Sequence, residues 1–149
     1  MLNIGDKAPW FEAVNQDGGT YNLNDFAGKK LVLYFYPKDN TPGCTAEACN
    51  LRDNYERFLS LGYVVIGVSR DKPSTHIKFI EKHNLPFPLL SDPDAAIHKA
   101  YDAWGMKKFM GKSFEGALRK TFVIDEAGVI VDIITDVKTK NHSEQILKG

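Results

Sequence analysis

Two thiols, Cys44 and Cys49, follow closely on a short apolar run, and the residues around them set out the chemistry they could do. Leu31-Val32-Leu33-Tyr34-Phe35-Tyr36 is β-prone and unbroken, which predicts a strand buried on both faces. The segment Pro37-Lys38-Asp39-Asn40-Thr41-Pro42-Gly43-Cys44 then carries the marks of a helix start. Thr41 falls at the N-cap, Pro42 at N1, where its missing N–H forfeits no intrahelical bond, and Cys44 at N3. The unpaired N–H groups and partial positive charge of a first turn favour an anion, and a thiolate is the reactive form of cysteine. Gly43 would leave the backbone N–H groups beside the sulfur open to a small substrate, and the Thr41 hydroxyl can donate or accept one turn away. Peroxide suits such a pocket. Attack on an O–O bond needs a thiolate in line with two oxygens, donors for the near oxygen, and an N–H-rich or positive surface where charge develops on the leaving one.

Pro37, Thr41 and Cys44 match the active-site pattern of the peroxiredoxins, which is Pro, three residues, Thr or Ser, two residues, then the attacking Cys; the sequence resembles that family here. The second thiol five positions on, in Cys44-Thr45-Ala46-Glu47-Ala48-Cys49, is similar to the Q-type subgroup, also called bacterioferritin comigratory proteins. The resemblance continues through Gly5-Asp6-Lys7-Ala8-Pro9, Leu89-Leu90-Ser91-Asp92-Pro93 and Arg119-Lys120-Thr121-Phe122-Val123-Ile124-Asp125, covering nearly the whole chain. It implies a thiol peroxidase without a bound cofactor, acting on hydrogen peroxide or organic hydroperoxides. Cys44 would become a sulfenic acid, Cys49 would condense with it to an intramolecular disulfide, and thioredoxin or a similar dithiol would reduce that bond. The resemblance also brings Arg119 toward the attacking sulfur, where with Thr41 it would position the peroxide. Glu47, one turn beyond Cys44, could hold that guanidinium in place.

Plainer readings stand beside these. Cys44 could be a buried structural thiol and Cys49 ordinary packing on a helix face. Thr41 could be an N-cap only, Arg119 a solvated charge and Glu47 a helix-start carboxylate favoured by the dipole. Lys107, Lys108, Lys112, Arg119 and Lys120 read as a solvated loop. A zinc site is not expected, because structural zinc usually takes cysteine pairs two to four residues apart, while here four residues intervene and His76, His83, His98 and His142 are scattered. A disulfide exchanger would want Cys-X-X-Cys. The rival outside enzymology is a redox switch or redox-gated holdase using the same thiols without turnover.

Composition bounds the setting. The 149 residues, 43% apolar, suffice for one well-buried core and are too few for two ordinary domains, so a single domain over 1–149 is expected. A net formal charge of zero without long charged runs argues against nucleic acid or an anionic membrane as partner. Met1-Leu2-Asn3-Ile4-Gly5-Asp6 lacks the basic region and apolar run of a secretory signal, no apolar stretch nears a membrane span, and a cytoplasmic location is the default expectation. Whether the chain works as a monomer or a weak homodimer is left open.

The elements that must position the thiols can be taken in order. Phe11–Val14 and Thr20–Leu23 flank Asp17-Gly18-Gly19, whose positive φ angles suit an N-terminal β-hairpin. A helical turn over Asn24–Gly28, the buried strand at 31–36 and one long helix from about Pro42 to Leu61 follow, with Leu51, Tyr55, Phe58 and Leu59 as its apolar face and Gly62 as its stop. A second buried strand spans Tyr63–Ser69, then a helix Ser74–His83, an extended segment 84–90, a short helix Asp94–Tyr101 and a loop to Leu118. Lys120–Asp125 and Val129–Thr135 read as a final strand pair, and Ser143 as the cap of a terminal helix. That order is an α/β sandwich with a central mixed sheet, and the resemblance names it thioredoxin-like. Helix geometry adds a constraint: residues five apart in a helix have Cα atoms about 8–9 Å apart on different faces. A disulfide usually needs about 4.4–6.8 Å, so joining Cys44 to Cys49 would have to unwind the helix between them.

Overall fold

The computed structural model describes residues 1–148; Gly149, the last residue of the expected domain, lies outside the described residues. The chain forms β1 (Glu12–Asn15), β2 (Thr20–Asn22), a 3-10 turn (Leu23–Phe26), β3 (Lys30–Phe35), α1 (Pro42–Asp53), α2 (Tyr55–Ser60), β4 (Tyr63–Ser69) and α3 (Pro73–His83). It continues through β5 (Leu89–Ser91), α4 (Ala96–Ala100), β6 (Trp104–Phe109), β7 (Lys112–Ala117), β8 (Lys120–Ile124), β9 (Ile130–Ile134) and α5 (His142–Leu147).

Seven strands make one mixed sheet in the order β2-β1-β5-β4-β3-β8-β9. The β3–β4 and β4–β5 pairs are parallel, and β3–β8 and β8–β9 are antiparallel. Alternation along β3 builds a core on both faces. Leu31, Leu33 and Phe35 enter one apolar cluster with Phe11, Val68 and Phe122; Val32, Tyr34 and Tyr36 enter the other with Cys44, Leu51, Phe58 and Phe79. The sulfur therefore sits in the layer between sheet and helices. Gly67 on β4 is required by this packing, since a Cβ there would lie 2.7 Å from Leu89 and 2.8 Å from the Tyr34 ring. The result is a thioredoxin-like α/β fold with the expected N-terminal hairpin.

Several local expectations are corrected. The long helix from 42 to 61 is two helices, because Asn54 leaves helical geometry (φ −109, ψ 8) and its side-chain amide donates to the Asn50 carbonyl, competing with the helix ladder. After that break Phe58 is buried while Leu59, expected on the same face, is 49% exposed. The loop expected up to Leu118 is instead the ribbon β6–β7, turned by Met110 and Gly111, both at positive φ. Its face is largely exposed, so it has no apolar alternation to betray it. The first hairpin turn uses one positive φ, at Gly18, with Asn15 Oδ1 accepting from the Asp17 and Gly19 N–H groups. The helix expected from Asp94 shortens to α4, whose start Asp92 holds through the Ile97 and His98 N–H groups. The extended segment supplies β5 at its end. Ser143 is not a cap: Asn141 takes that position, and the Ser143 hydroxyl donates to the Asn50 carbonyl, tying α5 to α1.

Candidate active site

The loop between β3 and α1 is held from inside. Asp39 is buried and accepts from the Tyr36 hydroxyl at 2.6 Å, pairs with His76 Nδ1 at 2.6 Å, and gives its own N–H to Asp71 at 2.8 Å. Such a clamp lets Asn40 keep φ at 64° and delivers the chain to Thr41 in extended geometry, ready to open α1. Thr41 is the N-cap residue, as expected, but its hydroxyl makes no cap bond. It donates to the Lys38 carbonyl at 2.9 Å, which commits its hydrogen and leaves its lone pairs as acceptors. Pro37 and Lys38 line an open groove with Arg70, Lys107 and Phe114, so the β6–β7 ribbon walls the approach to the loop.

Cys44 lies in the first turn of α1, 2% exposed. Arg119, directly before β8, donates through Nη2 to Cys44 Sγ at 3.2 Å and through Nη1 to Glu47 Oε1 at 2.7 Å. One planar guanidinium thus spans the thiol and the carboxylate. Gly43 makes room for it, since a Cβ there would stand 3.2 Å from Nη2. Arg119 is partly buried; desolvation opposes its charge, but Cys44 and Glu47 outweigh that and raise its pKa. Burial pushes the Glu47 carboxyl up to about 7 despite the opposing pull of Arg119. Behind Glu47, from α5, the fully buried His142 places Nε2 3.4 Å from Glu47 Oε2 and 2.7 Å from the Thr121 hydroxyl. Burial holds its pKa down to about 4, with the Gln145 hydrogen bond opposing and the Arg119 charge adding.

Cys49 lies on the same continuous helix, half-buried, with Sγ 3.9 Å from His83 Nδ1, and both cysteines are free. The expected site residues Thr41, Gly43, Cys44, Glu47 and Arg119 therefore converge around one helix start, while Cys49 looks away toward α3.

Residues 4–133 match the AhpC/TSA family model, nearly all of the chain. The chain belongs to the AhpC/TSA family. Within it, the relatives are of the peroxiredoxin Q, or bacterioferritin comigratory, kind. Peroxiredoxin Bcp of Bacillus subtilis is 48% identical over 147 residues, which are 99% of this chain and 94% of that protein. Peroxiredoxin Bcp of Escherichia coli is 46% identical over 146 residues, 98% and 94% of the two chains. A crystal structure of a PrxQ variant from Xylella fastidiosa superposes with a TM-score of 0.93 at 35% identity, covering 99% and 94%.

Sequence reasoning missed the layer behind the thiol in this AhpC/TSA protein. His142, Thr121 and Gln145 carry no local motif, and His142 stands 95 positions from Glu47. The Asp39–His76 clamp is equally hidden, since the two residues lie 37 positions apart and share no local motif. Asp39, Asp71 and His76 are the group whose ligand atoms come close enough, within 4.8 Å of one another, for a metal to be considered. The Asp39 carboxylate already takes the Tyr36 hydroxyl and His76 Nδ1, and the Asp71 carboxylate takes the Asp39 N–H and the Ser69 hydroxyl, so the group works as a clamp on the loop. Among the described residues, no helix is long and apolar enough to cross a membrane.

Proposed function

We propose that this chain is a thiol-dependent peroxidase that reduces hydrogen peroxide and organic hydroperoxides, with Cys44 as nucleophile and Cys49 as the thiol that resolves it. The observation that carries this is the Arg119 guanidinium, 3.2 Å from Cys44 Sγ and 2.7 Å from Glu47, over the open first turn of α1. The thiolate attacks the terminal oxygen of ROOH, an S–O bond forms as the O–O bond breaks, and RO⁻ leaves to take up a proton. Arg119, the Gly43 backbone and the lone pairs of Thr41 hold the oxygens in line, and Pro37 shapes the loop that presents them. Cys49 then displaces the hydroxyl of the Cys44 sulfenic acid as water, leaving the intramolecular disulfide. An external dithiol, thioredoxin or a protein like it, restores both thiols in the manner of an atypical 2-Cys peroxiredoxin. The enzyme would work in the cytoplasm as one domain spanning 1–149, as a monomer or weak homodimer, without nucleic acid, membrane, metal or cofactor. A solved relative from Xanthomonas campestris is described in terms of alkyl peroxide reduction, which agrees with this substrate class.

Steady-state consumption of hydrogen peroxide and cumene hydroperoxide, with thioredoxin, glutaredoxin and dithiothreitol compared, tests the proposal. Continued turnover fastest with thioredoxin is expected. One stoichiometric oxidation with no turnover under any of them would instead favour the redox switch or holdase. Arg119→Lys keeps the charge but loses the fork that reaches sulfur and carboxylate together. It is expected to slow the peroxide step more than about tenfold, as suits loss of a charge-assisted hydrogen bond at the reacting atoms. A stopped-flow rate within a factor of two of the parent's would return Arg119 to a passive surface charge.

A further inference from the structure

Behind the thiol, the Glu47 oxygen that Arg119 does not hold faces a ring nitrogen. Oε1 accepts from Arg119, whereas Oε2 is buried with no hydrogen-bond partner, 3.4 Å from His142 Nε2. Both side chains are fully buried. Gln145 decides which ring atom carries a proton. Its Nε2 donates to the Asp136 carbonyl at 2.8 Å and its Oε1 accepts from the Lys138 N–H at 2.9 Å, so the backbone sets the orientation of the amide. The same Oε1 lies 2.8 Å from His142 Nδ1, which must therefore be the N–H. In the neutral ring Nε2 is then an acceptor whose one lone pair takes the Thr121 hydroxyl proton at 2.7 Å, so it offers no N–H to Glu47 Oε2, 3.4 Å away. A bare carboxylate oxygen there would be buried opposite a lone pair with no donor to satisfy it.

We propose that His142 is a positioning residue: held as its Nδ1–H tautomer by Gln145, it keeps the proton of Glu47 on Oε2 and so leaves the charge of Arg119 committed to the Cys44 sulfur. When Glu47 is neutral, its Oε1 still orients the guanidinium by accepting from Nη1, but only one anion, the Cys44 thiolate, draws on the positive charge. When Glu47 is ionised, two anions share it. The groups facing Glu47 are Arg119 from the β8 approach, His142 from α5, Cys44 on its own helix and Tyr34 from β3, whose phenol is pushed up by burial first and by the Glu47 charge next.

Burial of the pair also sets its pH linkage. Glu47, raised from 4.5 to about 7, binds more protons folded than unfolded, so it lowers stability progressively as pH climbs through that window. His142, lowered from 6.5 to about 4, binds fewer, so it raises stability over nearly the same window. The two slopes oppose each other because burial favours the neutral form of both groups, the protonated carboxyl and the unprotonated imidazole.

Ring ¹⁵N NMR of the parent protein at pH 6 is expected to show His142 neutral with the proton on Nδ1; an Nε2–H ring or an imidazolium overturns the proposal with no substitution made. Gln145→Leu removes the acceptor, and the ring should turn to Nε2–H, a donor shared between the Thr121 oxygen and Glu47 Oε2 that favours the carboxylate. Alkylation of Cys44 by iodoacetamide in a Cys49→Ser background, and its single-turnover rate with hydrogen peroxide, should each then fall about tenfold at pH 6.5. In a Glu47→Gln background, whose amide cannot ionise, the same change should move both rates by less than twofold. An equal loss in both backgrounds would make Gln145 merely structural and overturn the proposal. With Cys44 taken as the attacking thiol, the ring spectrum and the alkylation rate report on this pair even where Cys44→Ser retained peroxide consumption, an outcome that would sink only the catalytic assignment.

Discussion

Replacing Cys44 with serine is expected to abolish peroxide consumption, whereas Cys49→Ser is expected to react once and stop, with a sulfenic acid that dimedone traps at Cys44. The difference follows from where the two sulfurs sit. Cys44 occupies the first turn of α1, where the Arg119 fork lies against its sulfur and the N–H groups of the helix start face the reacting atoms. Cys49 is further into the same helix beside His83, and the nearby Arg52 guanidinium is committed to Asp53 and the His83 carbonyl rather than to its sulfur. Serine at 44 keeps a hydroxyl of similar size, but an alcohol is a far weaker nucleophile toward O–O bonds than a thiolate, so the residual rate should lie at least about 10³ below the parent's. Mass spectrometry after one equivalent of hydrogen peroxide makes the check. A Cys49→Ser protein in which Cys44 takes up no oxygen would show that the roles are assigned wrongly.

Oxidation to the Cys44–Cys49 disulfide is expected to unwind the first part of α1. Both thiols lie within one unbroken helix, which separates their Cα atoms by about 8–9 Å against the roughly 4.4–6.8 Å a disulfide tolerates. Bringing them together must break several helical hydrogen bonds, each worth about 0.5–1.5 kcal/mol net. It must also lift Cys44 from its buried seat and out of the Arg119 contact. The structure sets a natural limit to the change, because α1 already ends at Asp53, before the break at Asn54, and α2 begins anew at Tyr55. Hydrogen–deuterium exchange should therefore rise by at least tenfold between about Gly43 and Leu51 on oxidation, while α2, β3 and β4 change far less. Equal protection in both redox states, with the intramolecular bond verified by mass, would show that the helix accommodates the bond by some other route.

The parts of this site that the sequence determined by itself are the local ones. The apolar run that becomes β3, the Thr41-Pro42 start of α1 and the address of Cys44 in its first turn all depend on neighbours within a few residues, where propensity, capping and burial pattern act. The peroxiredoxin pattern of Pro37, Thr41 and Cys44 rests on that same short stretch. Arg119 is legible only through a resemblance, since nothing in Leu118-Arg119-Lys120 distinguishes it from a surface charge. Its guanidinium meets Cys44 because the antiparallel register of β8 on β3 pairs Lys120 with Phe35 and so carries Arg119 past the end of that strand. His142 comes to Glu47 by a still longer path, through the docking of α5 on α1 by way of Asn50 and Ser143. Tertiary structure also decided the break at Asn54 and the β6–β7 ribbon, which have no apolar period to announce them. Short-range preferences place a thiol at a helix start; sheet register and helix docking, which act between residues some 75 positions apart or more, choose the charges that surround it.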